Sequence, residues 1–406
     1  MRSRPRQGWG IGLVLAGSLI GVGCVAESHV PNRSASPDRA PLPVSSFAAG
    51  ATPSEPEPWS RLIPAEPVTA PFGGIGNQFI IATTAYGDGF VAAGEDLQFG
   101  GAVNAAIWLS PDGTTWERLP TADNDLAHAQ IDVVAASGTR LVALGGPRGG
   151  DRDTGGRGRT VWTSDDGRSW QLIGDEVLFD GASPSGLAGG PAGFVAWGDQ
   201  AQGAPVFRSD DGTAWTRVSP GDLFAGAQIG SLKPFGRGFV AVGAVLPSAP
   251  ETTVGGPDRT TAAAWWSEDG RTWEAATVDK GFGLQTVQVG ATGLIAVGSG
   301  GCGGCVGPAA LWESADGRTW RHVGDDVANW PMYASDGARI ARDEWQGSGN
   351  VFESTDGRAW HPIGSHARVD SYGLTVGVHG ILITESIPRG GAPDEVDAGV
   401  WYLAGE

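Results

Sequence analysis

Short apolar runs, each opened by a glycine or a turn-forming residue, recur along most of the chain. The clearest copies are Gly89-Phe90-Val91-Ala92, Gly193-Phe194-Val195-Ala196, Gly238-Phe239-Val240-Ala241 and Gly293-Leu294-Ile295-Ala296. Arg140-Leu141-Val142-Ala143 and Ala338-Arg339-Ile340-Ala341 take the same place in their own stretches, and Gly380-Ile381-Leu382-Ile383 is a seventh copy. Runs this short, punctuated this often, predict β-strands and not helices. Downstream of the first six copies stands the pattern S-x-D-G-x-x-W. It comprises Ser110, Asp112 and Trp116; Ser164, Asp166 and Trp170; Ser209, Asp211 and Trp215; Ser267, Asp269 and Trp273; Ser314, Asp316 and Trp320; and Ser354, Asp356 and Trp360. Two residues before each Ser is an aromatic: Trp108, Trp162, Phe207, Trp265, Trp312 or Phe352.

Successive motifs lie 40 to 58 residues apart, the length of a four-stranded propeller blade. The seventh copy reaches Val400-Trp401-Tyr402 and the sequence stops at Glu406, before a motif or a fourth strand. The missing strand is found at the other end. Trp59-Ser60-Arg61-Leu62-Ile63-Pro64 reads like Trp116-Glu117-Arg118-Leu119-Pro120, the segment after the first motif. The fold expected is therefore all-β: a seven-bladed β-propeller of four-stranded antiparallel blades over residues 58–406. Its ring is closed by the N-terminal strand completing the C-terminal blade, which removes two sheet edges.

The motif chemistry is that of a tight turn. Ser and Asp side chains accept hydrogen bonds from nearby backbone, Gly allows positive φ, and Trp supplies a large ring to bury between sheets. S-x-D-G-x-x-W resembles the Asp-box of sialidase-type (BNR-repeat) propellers, whose pattern is S-x-D-x-G-x-x-W. Here Gly follows Asp directly, so the turn is one residue shorter. The resemblance implies the fold and a structural role for the motif residues. The family spans sialidases, other glycosidases, sorting receptors and assembly factors, so it does not choose an activity.

Composition agrees with many turns and little helix: 67 Gly and 27 Pro, with 17 Trp beside only four Tyr. A net charge of -18 argues against a nucleic-acid partner. Residues 1–24 read as a signal peptide, with Arg2, Arg4 and Arg6 before the apolar run Ile11 to Val22. The run ends in Leu19-Ile20-Gly21-Val22-Gly23-Cys24, which resembles a bacterial lipobox and implies lipidation of Cys24. Residues 25–57, rich in Pro, Ser and Ala, are expected to form a tether. An exported monomer held at the cell envelope by a lipid anchor, or secreted, follows.

Binding is expected on the face carrying the loops between the second and third strands, such as 147–159, 199–204 and 244–263, and the links between blades. Phe99, Phe224, Phe282 and Trp345 are candidate anchors for a peptide, protein or glycan there, with packing between blades the alternative for Phe224 and Phe282. Acids assigned to the loops, Glu95, Asp96, Asp151, Asp153, Asp343, Glu344, Asp394, Glu395 and Asp397, leave calcium open without an EF-hand spacing. Otherwise no cofactor or metal is expected. Cys302 and Cys305 form one CxxC, without a second CxxC or a neighbouring His, and read as a disulfide in an exported protein. A sialidase-like or other glycoside hydrolase is the alternative to a non-catalytic binding or assembly module. Tyr333 and Tyr372, which begin inner strands, with Arg342 and Arg368, are its candidates for a centre in the channel.

Overall fold

The computed structural model describes residues 60–62, 72, 76–98, 103–120, 126, 129–147, 159–174, 176–179, 182–198, 203–218, 223–246, 261–281, 283–299, 309–327, 332–344, 350–365, 371–388 and 396–404. Among them, strands and a single 3-10 turn at Glu176–Phe179 build seven sheets. The first sheet pairs Asn77–Tyr86, Gly89–Leu97, Val103–Ser110 and Glu117–Arg118 in chain order, all antiparallel. The first strand of every sheet touches the first strands of its two neighbours, and Asn77–Tyr86 meets Ser371–Gly377. The protein is a seven-bladed β-propeller with those strands innermost. In the seventh blade, Ser60–Leu62 is the outer strand beside Val396–Ala404, with Ser60 opposite Tyr402, Arg61 opposite Trp401 and Leu62 opposite Val400.

The repeat has two irregularities. The fifth blade gains an outer fifth strand, Thr277–Val278, which runs parallel to Thr319–Val327. The innermost strands of blades one, two, four, five and seven each carry a one-residue bulge, at Ile81, Asp132, Gly230, Gln285 and Tyr372. A bulge leaves one residue out of the ladder and re-aims it. In four of these blades a glycine lies opposite: Gly94, Gly145, Gly243 or Gly298. Glu385 takes that place in the seventh.

The register corrects the repeat frame in the sixth blade. Phe90, Leu141, Phe194, Phe239 and Leu294 each pair with the motif Ser of their blade, and in the sixth Ile340 pairs with Ser354. The copy is therefore Arg339-Ile340-Ala341-Arg342, one residue later than hydropathy suggests. Five blades place alanine opposite the aromatic of the third strand (Ala92, Ala143, Ala196, Ala241 and Ala296), the seventh places Ile383, and the sixth places Arg342 opposite Phe352.

Cohesion between blades comes from buried apolar clusters in the seams. Val91, Ile107, Leu126, Ile131 and Trp162 fill the seam of blades one and two, and Val195, Phe224, Trp265 and Trp273 that of three and four. Blades seven and one share Phe72, Trp108, Trp116, Val400 and Tyr402. The seams of blades two and three, four and five, and six and seven are built alike. Burying one such large side chain contributes about 1.5–3 kcal/mol. Phe72, Leu126, Phe179 and Phe224, all from the links between blades, join these clusters. Phe224 stands 5.5 Å from Trp265 and 5.9 Å from Trp273, so it is a packing residue and not an exposed anchor.

Candidate functional site

The six S-x-D-G-x-x-W turns share three hydrogen bonds. The Gly N–H donates to the Ser hydroxyl at 2.7–2.9 Å. The N–H after the Gly donates to the Asp carboxylate at 2.7–2.9 Å. The Trp Nε1–H donates to the Gly carbonyl at 2.8–3.2 Å. Asp112 is lowered to about 2, chiefly by the Thr115 N–H, and Asp166, Asp211, Asp269, Asp316 and Asp356 are lowered as well. The residue after Gly often reaches back to an acid of the preceding blade: Arg168 to Glu117 at 2.7 Å, Arg271 to Asp210 at 2.6 Å, Arg318 to Glu268 at 2.9 Å, and Arg358 to Glu313. Two grooves of about 800 Å³ open on this face, one lined by Asp279, Glu313, Arg321, His322 and Arg358, the other by Phe235, Trp266, Glu274 and Arg318. Every motif group is thus engaged in turn or seam structure.

Several acids assigned to loops lie elsewhere. Glu95 and Asp96 are buried in Gly89–Leu97, Asp343 in Ile340–Asp343 and Asp397 in Val396–Ala404. In the first and sixth blades the second strand runs past the position of the repeat's alanine and carries its acids into the ladder, while Asp397 stands on the third strand of the seventh blade. Asp96 accepts from Gln78 Nε2 at 3.1 Å and pairs with Arg118, partners that make its burial tolerable. Among the described residues no three His, Cys, Asp or Glu side chains gather as metal ligands. Cys24, Phe99, Asp151, Asp153, Phe282, Cys302, Cys305, Trp345, Arg368, Asp394 and Glu395 lie outside the described residues. Of Tyr372 only the backbone is described, at its bulge.

Tyr333 and Arg342 do come together. They are cross-strand partners in the sixth blade, and Arg342 in turn faces Phe352. The Arg342 guanidinium carbon is 4.7 Å from the ring centre of Phe352 and 4.7 Å from that of Trp360, and Nη2 donates to Glu344 at 3.3 Å. Tyr333 tilts against Trp360 at 6.0 Å, so its ring lies in the seam and not in the channel. Burial pushes its phenol up to about 12, and the adjacent guanidinium opposes that rise. The Tyr333 hydroxyl and Arg342 Nε are buried without a well-aligned hydrogen bond among the described residues. The signal for this site was the broken repeat: Arg342 replaces alanine, and Glu344 replaces the glycine seen at Gly94, Gly145, Gly198, Gly243 and Gly298.

Sequence reasoning passed over Lys233, on the innermost strand Ala227–Phe235. Burial lowers its pKa, and no ion pair with another described residue offsets this.

No protein-family model and no curated protein matches the chain in sequence. Solved structures do match. YCF48 bound to a D1 peptide is 16% identical, with 87% of this chain and 98% of that chain covered and a TM-score of 0.51. The acylaminoacyl peptidase of Pyrococcus horikoshii is 8% identical, with 80% and 52% covered and a TM-score of 0.51. The likeness is one of fold. A Trypanosoma rangeli sialidase in complex with sialic acid is more distant in shape, at 14% identity, 86% and 58% coverage and a TM-score of 0.41. At these identities the shared propeller fold carries no site residue from one chain to another.

Proposed function

We propose that the chain is an exported, lipid-anchored Asp-box propeller acting as a non-catalytic binding or assembly module. It holds a peptide segment of a partner protein on the face carrying the loops between second and third strands. The observation that carries the reading is the contrast between blades. The motif residues are consumed by turns and seams, and the repeat gives way to polar and half-buried aromatic groups at Tyr333, Arg342, Phe352 and Trp360. A phenol raised to about 12 is protonated at neutral pH, a hydrogen-bond donor and a poor nucleophile. A propeller of comparable fold, YCF48, holds a D1 peptide, which supports a peptide as the kind of partner.

The test is a pull-down from envelope extract with the intact chain and with a variant shortened across residues 244–263. Recovery of a partner that the shortened variant loses supports the module. A glycoside hydrolase is the second reading, favoured by the meeting of Tyr333, Arg342 and Glu344. Turnover of fluorogenic sialosides or β-glycosides, abolished by Tyr333→Phe or Tyr372→Phe, would replace the module reading. Mass spectrometry of the mature N-terminus tests the diacylated Cys24, and alkylation without reductant tests the Cys302–Cys305 bridge.

A further inference from the structure

Six of the seven seams are filled by large buried apolar clusters, whereas at the seam between the fifth and sixth blades buried Ile295 and Ile340 share the space with polar groups. The rings that are at most 8% exposed elsewhere, Trp108, Trp162, Phe207, Trp265, Trp312 and Trp401, have a half-buried counterpart in Phe352, and Trp360 is half-buried too. Polar groups extend along the inner strands of this seam. Gln288 Nε2 donates to the Tyr333 carbonyl at 3.3 Å, the Ser335 hydroxyl donates to Gln288 Oε1 at 2.9 Å, and the Val289 N–H donates to the Ser335 hydroxyl at 3.1 Å. Tyr333 and Arg342 stand beside this network.

We propose that this seam is a recognition site for a carboxylate carried on an apolar body, as in the C-terminal hydrophobic residue of a peptide. The inference rests on the binding-module reading and narrows it to one seam. A guanidinium stacked on aromatic rings keeps its N–H groups in plane for hydrogen bonding, the arrangement that takes a carboxylate in bidentate fashion. Glu344 holds Nη2 through one long contact of 3.3 Å, while the Nε edge has no partner among the described residues. The Tyr333 hydroxyl lies against the same guanidinium and makes no well-aligned hydrogen bond of its own among the described residues. Two donors beside a cationic group call for an acceptor that carries negative charge. Gln288 and Ser335 are spent on each other and on backbone, so they offer little to a hydroxyl-rich sugar. The half-buried rings of Phe352 and Trp360 offer a surface to an apolar side chain instead.

Titration calorimetry of the intact protein, with tryptophan fluorescence as a second readout, tests this with N-acetylphenylalanine, its amide and N-acetylneuraminic acid. The free acid should bind, and the amide should bind roughly tenfold more weakly or worse, because a charge-assisted pair is lost. Arg342→Gln should weaken the acid by a similar factor. Tyr333→Phe, which removes one hydroxyl and no packing, should weaken it severalfold. Glu344→Gln should strengthen it, since Glu344 competes for the same guanidinium. Equal binding of acid and amide, or binding indifferent to both Arg342→Gln and Tyr333→Phe, overturns the proposal. Arg342-dependent binding of N-acetylneuraminic acid alone would give the seam to acidic sugars and overturn the peptide assignment. A partner still recovered by the Arg342→Gln protein would leave the module reading standing while removing this seam from it.

Discussion

Gly113 shows how one residue serves turn and seam together. Its φ is +79°, and an added Cβ would overlap the ring of Tyr402 on the preceding blade. Gly138, in a hairpin, has φ +59° but open space around the missing Cβ. Gly138→Ala should therefore cost about 1–2 kcal/mol, the conformational term alone. Gly113→Ala adds a clash and should cost clearly more, which paired urea melts would show. The motif carboxylates give a pH window. Their folded pKa values lie below the unfolded value of about 3.9, so their stabilisation is present above roughly pH 4 and is lost as pH falls below it, for Asp112 towards about 2. Thermal melts should be nearly constant from pH 6 to about 4.5 and fall between roughly 4 and 2, and Asp112→Asn should remove part of that fall. A melting temperature unchanged down to pH 2 would show that these carboxylates do not hold the turns.

Between elements, arginines bridge neighbouring blades in two physical ways. Arg358 makes only an exposed ion pair with Glu313, whereas Arg318 pairs with Glu268 and also lies 3.8 Å from the Trp266 ring centre. Salt screens the first kind of contact and spares ring stacking. Any loss in Arg358→Ala should vanish in 1 M salt, while Arg318→Ala should retain about 0.5–1 kcal/mol of it. Equal salt response of the two variants would place both in the surface class. The motif turns were legible because turn geometry and seam packing require the same Ser, Asp, Gly and Trp in each copy. The sixth blade's frame was not. Hydropathy prefers Ala338-Arg339-Ile340-Ala341, which leaves Arg342 out of the repeat, and only the pairing of Ile340 with Ser354 puts it in an alanine's place. Tyr333 was read as facing the channel because position along an inner strand fixes depth and not the face to which the ring turns. The acids of the second strands were read as loop residues because nothing in their own segment announces Gln78 and Arg118 as partners.

For the whole molecule, the ring holds a contradiction between strength and closure. Six blades are continuous stretches of chain, and the seventh joins residues from both ends. Removing residues 57–66 should expose the edge of Val396–Ala404, lower the melting temperature and promote edge-to-edge association visible by light scattering. A monomer of unchanged melting temperature would show that the outer strand is dispensable. The same arrangement has a mechanical meaning. A pull delivered through the residues before Ser60 reaches the propeller across three backbone pairs, while the two strands next inward share nine. Under load that outer strand acts as a fuse. It would peel first at low force and lengthen the attachment while the seams behind it stay shut, so extension by optical tweezers should show a small early step before the blades yield.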